Sequence, residues 1–331
     1  MRHLLAIIVG MFAWSAAATA EGFKVVEVKK VWDQAPHNAF TDLIRFHDRW
    51  FLSFREAETH VKGDGQIRVL TSTDGKKWEA AARIGQKGID LRDPKLSITP
   101  DDRLMIVGGA AVPATRNPLT DHYSFVCFSK DGKEWSQPER VLDSWQWLWR
   151  VTWHEGTGYG VAYRWNHKNP AVKVKREASL YRTKDGLKYE LAADFDLVNA
   201  NEATVRFDGA KMICLQRRDG EPNTAQIGTS QSPYKEWIWK DVGFYYGGPN
   251  FIQLPDKSWV ACGRIIEKGK AQTVVCHMDI EKGKLIPAVT LPSGGDTSYA
   301  GLVWHDDQLW ISYYSSHEGK TSIYLARLKR E

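Results

Sequence analysis

Acidic and basic side chains recur at the two ends of strand-like segments in this 331-residue sequence. We place the starts of one set of segments at Asp42, Asp93, Arg150, Glu202, Asn250 and Tyr299. The segments that follow them end at Arg55, Arg164, Arg217 and Arg264. A polar residue at the mouth of an otherwise apolar strand needs water or a ligand. Carboxylates and guanidiniums that face one cavity can bind an anionic or polyhydroxyl ligand, although they can also pair with one another in a water-filled channel.

The spacing of these segments predicts the elements that bring them together. Their starting points are about 50 residues apart, which is the period of β-propeller blades. Each unit reads as a strand, a short polar turn and a second strand, and two further strands follow in the first five units. The sixth unit ends with three strands, and the segment 24–31 can supply its fourth. We therefore expect an all-β, six-bladed propeller whose last blade is closed by the N-terminal strand, with five blades as the alternative.

Three short segments share the pattern Ser/Thr-x-Asp-Gly-x-x-aromatic. They cover residues 72–78, 129–135 and 183–189, and a degenerate fourth covers 230–237. Asp-Gly supplies a hairpin turn because glycine accepts a positive φ and aspartate bonds nearby backbone amides. The aromatic residue can then pack the turn onto its sheet. This pattern is the Asp-box, and we assign it a structural role without chemistry.

Composition and the first residues limit the class of protein. Lys+Arg number 45 against 40 Asp+Glu, and the resulting net charge of +5 is too mild to imply a nucleic-acid partner. A basic start, an apolar run over 4–13 and an Ala-x-Ala exit at 18–20 predict a secretory signal peptide over 1–20, cleaved after Ala20. The apolar run is shorter than the about 20 residues that span a bilayer. Residues 21–331 are expected to form one domain of a secreted or periplasmic protein, without membrane insertion.

The cysteines give little information about disulfides, metal sites or redox chemistry. The spacing of Cys127, Cys214, Cys262 and Cys276 is neither a zinc pattern nor a redox CxxC. An oxidising compartment permits disulfides, and Cys262 could pair with Cys276 on a neighbouring predicted strand, with buried free thiols as the alternative. We expect no organic cofactor and no catalytic metal.

The Asp-boxes, the six-blade count and the order of motifs resemble the sialidase (neuraminidase) superfamily over essentially all of residues 21–331. Asn201-Glu202-Ala-Thr-Val, with Gln216-Arg217 after a turn, resembles the segment that carries the catalytic glutamate and a substrate-binding arginine. Thr297-Ser-Tyr299-Ala-Gly-Leu resembles the segment that carries the nucleophilic tyrosine. Asp64 is the closest match to the loop aspartate that serves as acid and base, and the same loop also offers His60, Glu56 and Glu58.

The resemblance implies a retaining exo-glycosidase with Tyr299 as nucleophile, Glu202 as its base and Asp64 as acid and base. Sialidases with a tyrosine nucleophile are an exception to the usual scheme of two carboxylates. A tyrosine avoids bringing a charged carboxylate towards an anionic sugar. Its phenol, with a pKa of about 10, needs a neighbouring base to become nucleophilic at neutral pH.

The sequence departs from the family where the substrate carboxylate is held. Sialidases use three arginines, of which Arg217 matches the second. The opening that should hold the first reads Phe-Thr-Asp-Leu over 40–43, and the stretch 246–250 offers no counterpart of the third. Another acidic sugar, or a neutral one, is therefore compatible with the sequence. The residues predicted to bind substrate are Arg217, Arg55, Asp42, Arg92, Asp93, His60 and Arg264.

Two other functions fit parts of the sequence. Leu91-Arg-Asp-Pro-Lys95 resembles a segment of five-bladed fructosidase-like glycosidases, in which Asp42 would be the nucleophile, Asp93 the stabiliser and Glu202 the acid. A non-catalytic carbohydrate-binding propeller would instead use ring-rich stretches such as 145–149. Blade number tests the first alternative. Contact between the tyrosine and the glutamate distinguishes an enzyme from the second, because propellers host many unrelated roles.

Overall fold

The computed structural model describes residues 22–61, 63–112, 121–165 and 176–331, with only the backbone of Trp165 and Arg176. The described residues form 24 strands in six four-stranded sheets. They contain no helix, and hence none long and apolar enough to cross a membrane. The predicted signal peptide lies outside the described residues.

The first three blades follow one another along the chain after a leading strand. The leading strand is β1 (Phe23–Trp32). Blade 1 contains β2 (His37–Phe46), β3 (Arg49–Ala57), β4 (Gln66–Ser72) and β5 (Glu79–Ile84). Blade 2 contains β6 (Asp90–Ile98), β7 (Leu104–Val112), β8 (Asp121–Ser129) and β9 (Glu139–Val141). Blade 3 contains β10 (Gln146–His154), β11 (Thr157–Trp165), β12 (Arg176–Thr183) and β13 (Tyr189–Asp194).

The last three blades complete the ring. Blade 4 contains β14 (Ala200–Asp208), β15 (Lys211–Arg218), β16 (Gln226–Gln231) and β17 (Ile238–Asp241). Blade 5 contains β18 (Gly247–Gln253), β19 (Trp259–Glu267), β20 (Lys270–Asp279) and β21 (Lys284–Thr290). Blade 6 contains β22 (Thr297–His305), β23 (Gln308–Ser315) and β24 (Ser322–Arg330). The six-bladed prediction is confirmed, and the five-bladed alternative is wrong.

The N-terminal strand closes the last blade, as the sequence predicts. β1 pairs antiparallel with β24 over most of its length, from Phe23 opposite Arg330 to Trp32 opposite Ile323. This pairing leaves the order β1-β24-β23-β22 in blade 6 and joins the two ends of the described chain. Because the outer edge of blade 6 is supplied from the opposite end of the sequence, the ring is held shut by backbone hydrogen bonds.

Apolar side chains fill the spaces between neighbouring blades. One cluster joins Phe51 and Ile67 of blade 1 to Leu104 and Phe125 of blade 2, and all four are buried. Burying each such side chain stabilises the fold by about 1.5–3 kcal/mol. The inner strands are therefore mostly buried on both faces, and their polar residues are concentrated near their first residues.

Every innermost strand carries a β-bulge near its start. Two residues of β2, between Ala39 and Asp42, lie opposite a single residue of β3, and the same irregularity recurs in β6, β10, β14, β18 and β22. The first bulged residue has a positive φ at Phe40 (65°), Asp93 (52°), Gly248 (59°) and Tyr299 (50°). A bulge bends the strand and redirects side chains, and such devices cluster next to active sites. The repeat therefore presents one equivalent residue per blade near the axis.

The three Asp-Gly turns pack blades 1, 2 and 3 against the blade that precedes each in the ring. In the second turn, the Asp131 carboxylate accepts hydrogen bonds from the amides of Lys133 and Glu134 at 2.9 and 3.0 Å. Gly132 has a φ of 75°, and a Cβ there would lie 2.0 Å from the Phe51 ring in blade 1. The glycine is thus needed both for its backbone conformation and for the close approach.

Replacing Gly132 with alanine should destabilise the propeller by about 3 kcal/mol, because left-handed strain adds to overpacking against Phe51. Gly156→Ala is the matched control, since Gly156 has a φ of 70° but nothing within 4 Å of its Cβ position. The control should cost only about 1 kcal/mol. Urea unfolding of both variants measures the difference, and equal losses would show that the packing against Phe51 contributes nothing.

The four cysteines are free and buried. Cys276 lies opposite Ala261 in the ladder, whereas Cys262 lies opposite Val275. Successive side chains along a strand point to opposite faces, so the two sulfur atoms belong to different clusters on either side of the sheet. The disulfide between Cys262 and Cys276 that the sequence permits is therefore not formed, and the alternative of free buried thiols describes this fold.

Candidate active site

Tyr299, Glu202 and Arg217 meet at the mouth of the ring. Tyr299 Oη donates a hydrogen bond to Glu202 Oε1 at 2.6 Å. Arg217 Nη1 donates to Glu202 Oε2 at 2.7 Å and to Tyr299 Oη at 3.2 Å. The Gly248 amide donates to Glu202 Oε2 at 2.9 Å, so that both carboxylate oxygens are fully engaged. A phenol, a base and a cation from blades 4 and 6 thus form one contact triangle across the axis.

The electrostatics of this triangle favour an ionised glutamate and a protonated phenol. Burial alone would raise the pKa of Glu202, but the charge of Arg217 and the hydrogen bond from Tyr299 hold the pKa below its usual range. Burial, together with the charge of Glu202, raises the pKa of Tyr299 well above that of free tyrosine. The proton therefore resides on the phenol, and the carboxylate is positioned to take it when the phenol oxygen reacts.

Aromatic rings and cations surround the Tyr299 ring. Phe40 packs edge-on at 5.3 Å between centroids, Trp149 lies at 5.1 Å, and Tyr314 stacks at 5.8 Å. The Arg264 guanidinium carbon lies 5.7 Å from the centroid of the same ring. These contacts fix the ring in one orientation. A nucleophile needs such a fixed orientation because it must approach a carbon atom in line with the bond that breaks.

A buried lysine lies behind the nucleophile candidate. Lys95 Nζ lies 5.4 Å from the Tyr299 ring and 4.8 Å from the Trp149 ring, and it donates to the Thr41 carbonyl at 3.0 Å. Burial lowers the pKa of Lys95 to about 8. Its positive charge stabilises the negative charges of the carboxylates on the inner strands, which are buried away from water as well.

Asp93 occupies the bulge position of blade 2 that is equivalent to Tyr299 in blade 6. Its side chain is nearly buried, at 8% exposure of the residue. Burial raises the pKa of Asp93, with Arg92 and Lys95 acting against the shift and Glu202 reinforcing it. A carboxyl group whose pKa is raised inside a cavity is suited to donate a proton at neutral pH.

The loop between β3 and β4 holds two other predicted residues. Asp64 is exposed, and its neighbour Gly65 packs against a buried ion pair. His60 is partly exposed, and its Nδ1 lies 2.5 Å from Asp296 Oδ2. Arg92 reaches the same loop, donating from Nη2 to the His60 carbonyl at 3.2 Å. The structure therefore places His60 and Arg92 at the rim and leaves Asp64 facing solvent.

Two predicted substrate-binding residues, Arg55 and Asp42, are buried and make contacts between strands. Arg55 is fully buried, and it donates from Nε to Asp90 at 2.7 Å and from Nη1 to the Thr59 carbonyl at 2.8 Å. Asp42 is 1% exposed and accepts hydrogen bonds from the Leu96 amide and from Arg150, both at 2.7 Å. Arg55 Nη2 and Asp42 Oδ1 have no hydrogen-bond partner among the described residues, and the assignment of both side chains to substrate binding stays a prediction. The fructosidase-like alternative needs five blades, and the six blades of this fold contradict it.

Several site residues were not identified from the sequence. Asp219 accepts from Arg217 Nε at 2.9 Å and from its Nη2 at 3.2 Å, which orients the guanidinium. Its position two residues after Arg217 places it on the same side of the strand, a signal that could have been used. Gly248 contributes only its amide, and a Cβ there would lie 2.6 Å from the Tyr299 ring. No sequence pattern marks such a backbone donor.

Comparison with known proteins gives a likeness in structure alone. No family model and no curated protein sequence matches the chain. A protein of unknown function from Dyadobacter fermentans superimposes with a TM-score of 0.79 at 19% identity, covering 94% of this chain and 100% of that one. The sialidase of Trypanosoma rangeli, solved with sialic acid, gives a TM-score of 0.66 at 14% identity, covering 94% of this chain and 60% of that one.

A second glycosidase is similar to the same degree. An α-L-arabinofuranosidase mutant from Fusarium graminearum, solved with an iminosugar inhibitor, gives a TM-score of 0.67 at 14% identity, covering 94% of this chain and 96% of that one. Identities below one fifth show the architecture and leave the chemistry to the residues of each chain. The chain therefore has the six-bladed propeller fold that a sialidase and an arabinofuranosidase also have.

Proposed function

We propose that the protein is an exported, retaining exo-glycosidase that removes a terminal, acidic sugar from glycans. The observation that carries this proposal is the 2.6 Å hydrogen bond from Tyr299 Oη to Glu202, with Arg217 on both groups. A sugar-binding propeller without catalysis has no need of a buried phenol held against an ionised carboxylate. The motif resemblance to sialidases and the fold shared with two glycosidases support the same reaction class.

The reaction would proceed in two displacements. Tyr299 Oη attacks the anomeric carbon as the bond to the leaving oxygen breaks, and the phenol proton passes to Glu202. A general acid gives its proton to the leaving oxygen. In the second step the same residue, now a base, takes a proton from water, whose oxygen attacks the anomeric carbon. The bond from the anomeric carbon to Tyr299 breaks, and the phenol oxygen recovers the proton from Glu202. Because each displacement inverts the anomeric carbon, two of them retain its configuration.

Two of the cations beside Tyr299, Arg217 and Arg264, support an acidic substrate. The guanidinium carbon of Arg264 is 5.7 Å from the Tyr299 ring, and Arg217 reaches the phenol oxygen itself. In the sequence stretches expected to hold the other two arginines of a sialidase, 40–43 and 246–250, the Phe40 ring lies 5.3 Å from the Tyr299 ring and the Gly248 amide donates to Glu202. A carboxylate held by two guanidiniums rather than three fits a smaller acidic sugar, such as a uronide, as well as a sialoside.

A panel of aryl glycosides that includes sialosides, uronides and arabinofuranosides tests the activity directly. We expect turnover of an acidic member, with retention of configuration read from the first product by NMR. Saturable binding of sugars without turnover of any donor would favour a non-catalytic carbohydrate-binding propeller. Inversion would exclude the covalent tyrosine intermediate.

The identity of the general acid is tested by Asp93→Asn beside Asp64→Asn. The sequence resemblance assigns this role to Asp64, whereas burial and a raised pKa in the site favour Asp93. We expect Asp93→Asn to lower kcat/KM about 1,000-fold for donors with poor leaving groups and far less for activated ones, because the latter need no proton. Azide should restore part of the activity. If Asp64→Asn showed this dependence on the leaving group and Asp93→Asn did not, Asp64 would be the general acid.

A further inference from the structure

His37, His60 and Asp296 form a cluster at the rim of the candidate active site. His37 Nε2 lies 2.9 Å, and His60 Nδ1 lies 2.5 Å, from the single oxygen Asp296 Oδ2. The three atoms lie within 4.8 Å of one another. The residues come from the start of β2, from the β3–β4 loop and from the approach to β22, so only closure of the ring brings them together.

Two imidazoles and one carboxylate are a ligand set that divalent metals of the Zn²⁺ class accept. Bond lengths of about 2.0–2.2 Å place the ligand atoms of a tetrahedral site about 3.3 Å apart. The two histidine–aspartate distances, 2.9 and 2.5 Å, are shorter than this. His60 lies on a loop with its side chain 45% exposed, and a shift of less than about 1 Å opens room for an ion of this size.

The surroundings of the cluster match those of a ligating carboxylate. The second oxygen of Asp296, Oδ1, accepts a hydrogen bond from Tyr314 Oη at 2.9 Å and lies 4.0 Å from Arg264. Oδ2 is thus left to the two histidines, and ligating carboxylates are commonly held through their other oxygen in this way. His37 is 7% exposed, and its Nδ1 has no hydrogen-bond partner, so its polar interaction is directed entirely into the cluster.

We propose that His37 Nε2, His60 Nδ1 and Asp296 Oδ2 bind one divalent transition-metal ion of the Zn²⁺ class, with solvent completing the coordination. This ion would not be a catalytic metal, since it does not touch Tyr299 or Glu202. The proposal therefore does not conflict with the prediction that the protein has no catalytic metal. It ties the β3–β4 loop of blade 1 to blade 6 beside the site. The Phe40 ring lies between His60, at 5.2 Å, and Tyr299, at 5.3 Å, so the tie also fixes one wall of the pocket.

Titration of the metal-free mature protein with Co²⁺ and with Zn²⁺ alone tests the proposal without reference to catalysis. We expect one Co²⁺ per chain with visible d–d absorption, displaced by one equivalent of Zn²⁺, and a Tm raised by Zn²⁺. His60→Ala should weaken binding by at least about 100-fold, because removing a ligand exceeds the effect of outer-shell changes. Asp296→Asn should act in the same direction.

A matched control comes from another histidine–aspartate pair on the same protein. His47 Nε2 lies 2.8 Å from Asp102 in an exposed pair that has no third ligand among the described residues, so His47→Ala should bind metal like the wild type. Because the His60 side chain is 45% exposed, we expect its truncation to leave the fold intact. Binding that is substoichiometric in the wild type, or equal in the wild type and His60→Ala, would overturn the proposal and show a hydrogen-bonded cluster only.

Discussion

Tyr299→Phe is expected to reduce kcat/KM by at least about four orders of magnitude, because loss of a nucleophile has cost on the order of 10⁶ in kcat elsewhere. Phenylalanine keeps the ring between Phe40, Trp149 and Tyr314 and removes only the oxygen that would attack. The ring is 8% exposed, and its packing contacts remain, so the variant should fold. The rate on the best aryl glycoside from the substrate panel measures the effect.

The matched control is a second tyrosine on the next strand of blade 6. Tyr313 is fully buried, and its hydroxyl donates to the Pro292 carbonyl at 2.9 Å, away from Glu202. Tyr313→Phe should retain activity and lose about 1 kcal/mol of stability with that hydrogen bond. Full turnover by Tyr299→Phe would remove the phenol from the mechanism. Retention of configuration with an unimpaired rate would then require another nucleophile.

The ring could be predicted from the sequence because its signals are periodic. Six units of about 50 residues specify the number of blades, and Asp-Gly turns mark three of them, whatever the details of each strand. The starts of the strands were placed too late, however, with β2 beginning at His37 rather than Asp42 and β10 at Gln146 rather than Arg150. The bulge explains the error, since its extra residue breaks the alternation from which a strand is recognised.

The candidate site was predictable only in part, for a related reason. The sequence singles out a phenol, a carboxylate and a guanidinium as reactive or charged side chains, and the fold brings them together in Tyr299, Glu202 and Arg217. Arg55 has the same type at an equivalent strand end, yet its partner Asp90 lies at the start of the next blade, and the pair is buried. Which guanidinium faces the cavity and which is neutralised behind it depends on contacts between blades, and these are not local in the sequence.

The metal-ligand cluster shows the same limit more strongly. His37 and Asp296 are 259 residues apart, and neither stands in a spacing that is typical of metal ligands. They become neighbours where β2 of blade 1 packs against β22 of blade 6, at the closure of the ring. A site built at the closure of a ring therefore leaves no pattern in the sequence.

Glu202→Gln is expected to lower kcat/KM by at least about 1,000-fold, since an amide cannot take the proton of Tyr299. It should also destabilise the protein by about 2 kcal/mol at pH 7, because Arg217 loses one of two carboxylate partners and retains Asp219. The pKa of Glu202 is lower in the folded state than its usual value. Its contribution to stability is therefore complete above about pH 4.5 and declines as the pH falls through the lowered value.

The stability difference between wild type and Glu202→Gln should consequently be largest at neutral pH and shrink below about pH 4 in urea unfolding. Glu56→Gln is the matched control, because Glu56 lies in β3 rather than in the loop, is also buried, and accepts hydrogen bonds from Trp32 and Arg68 rather than from Tyr299. It should cost stability but leave kcat/KM unchanged. Loss of activity in both variants would attribute the effect to weakened folding, whereas loss in Glu202→Gln alone identifies the base that the phenol requires.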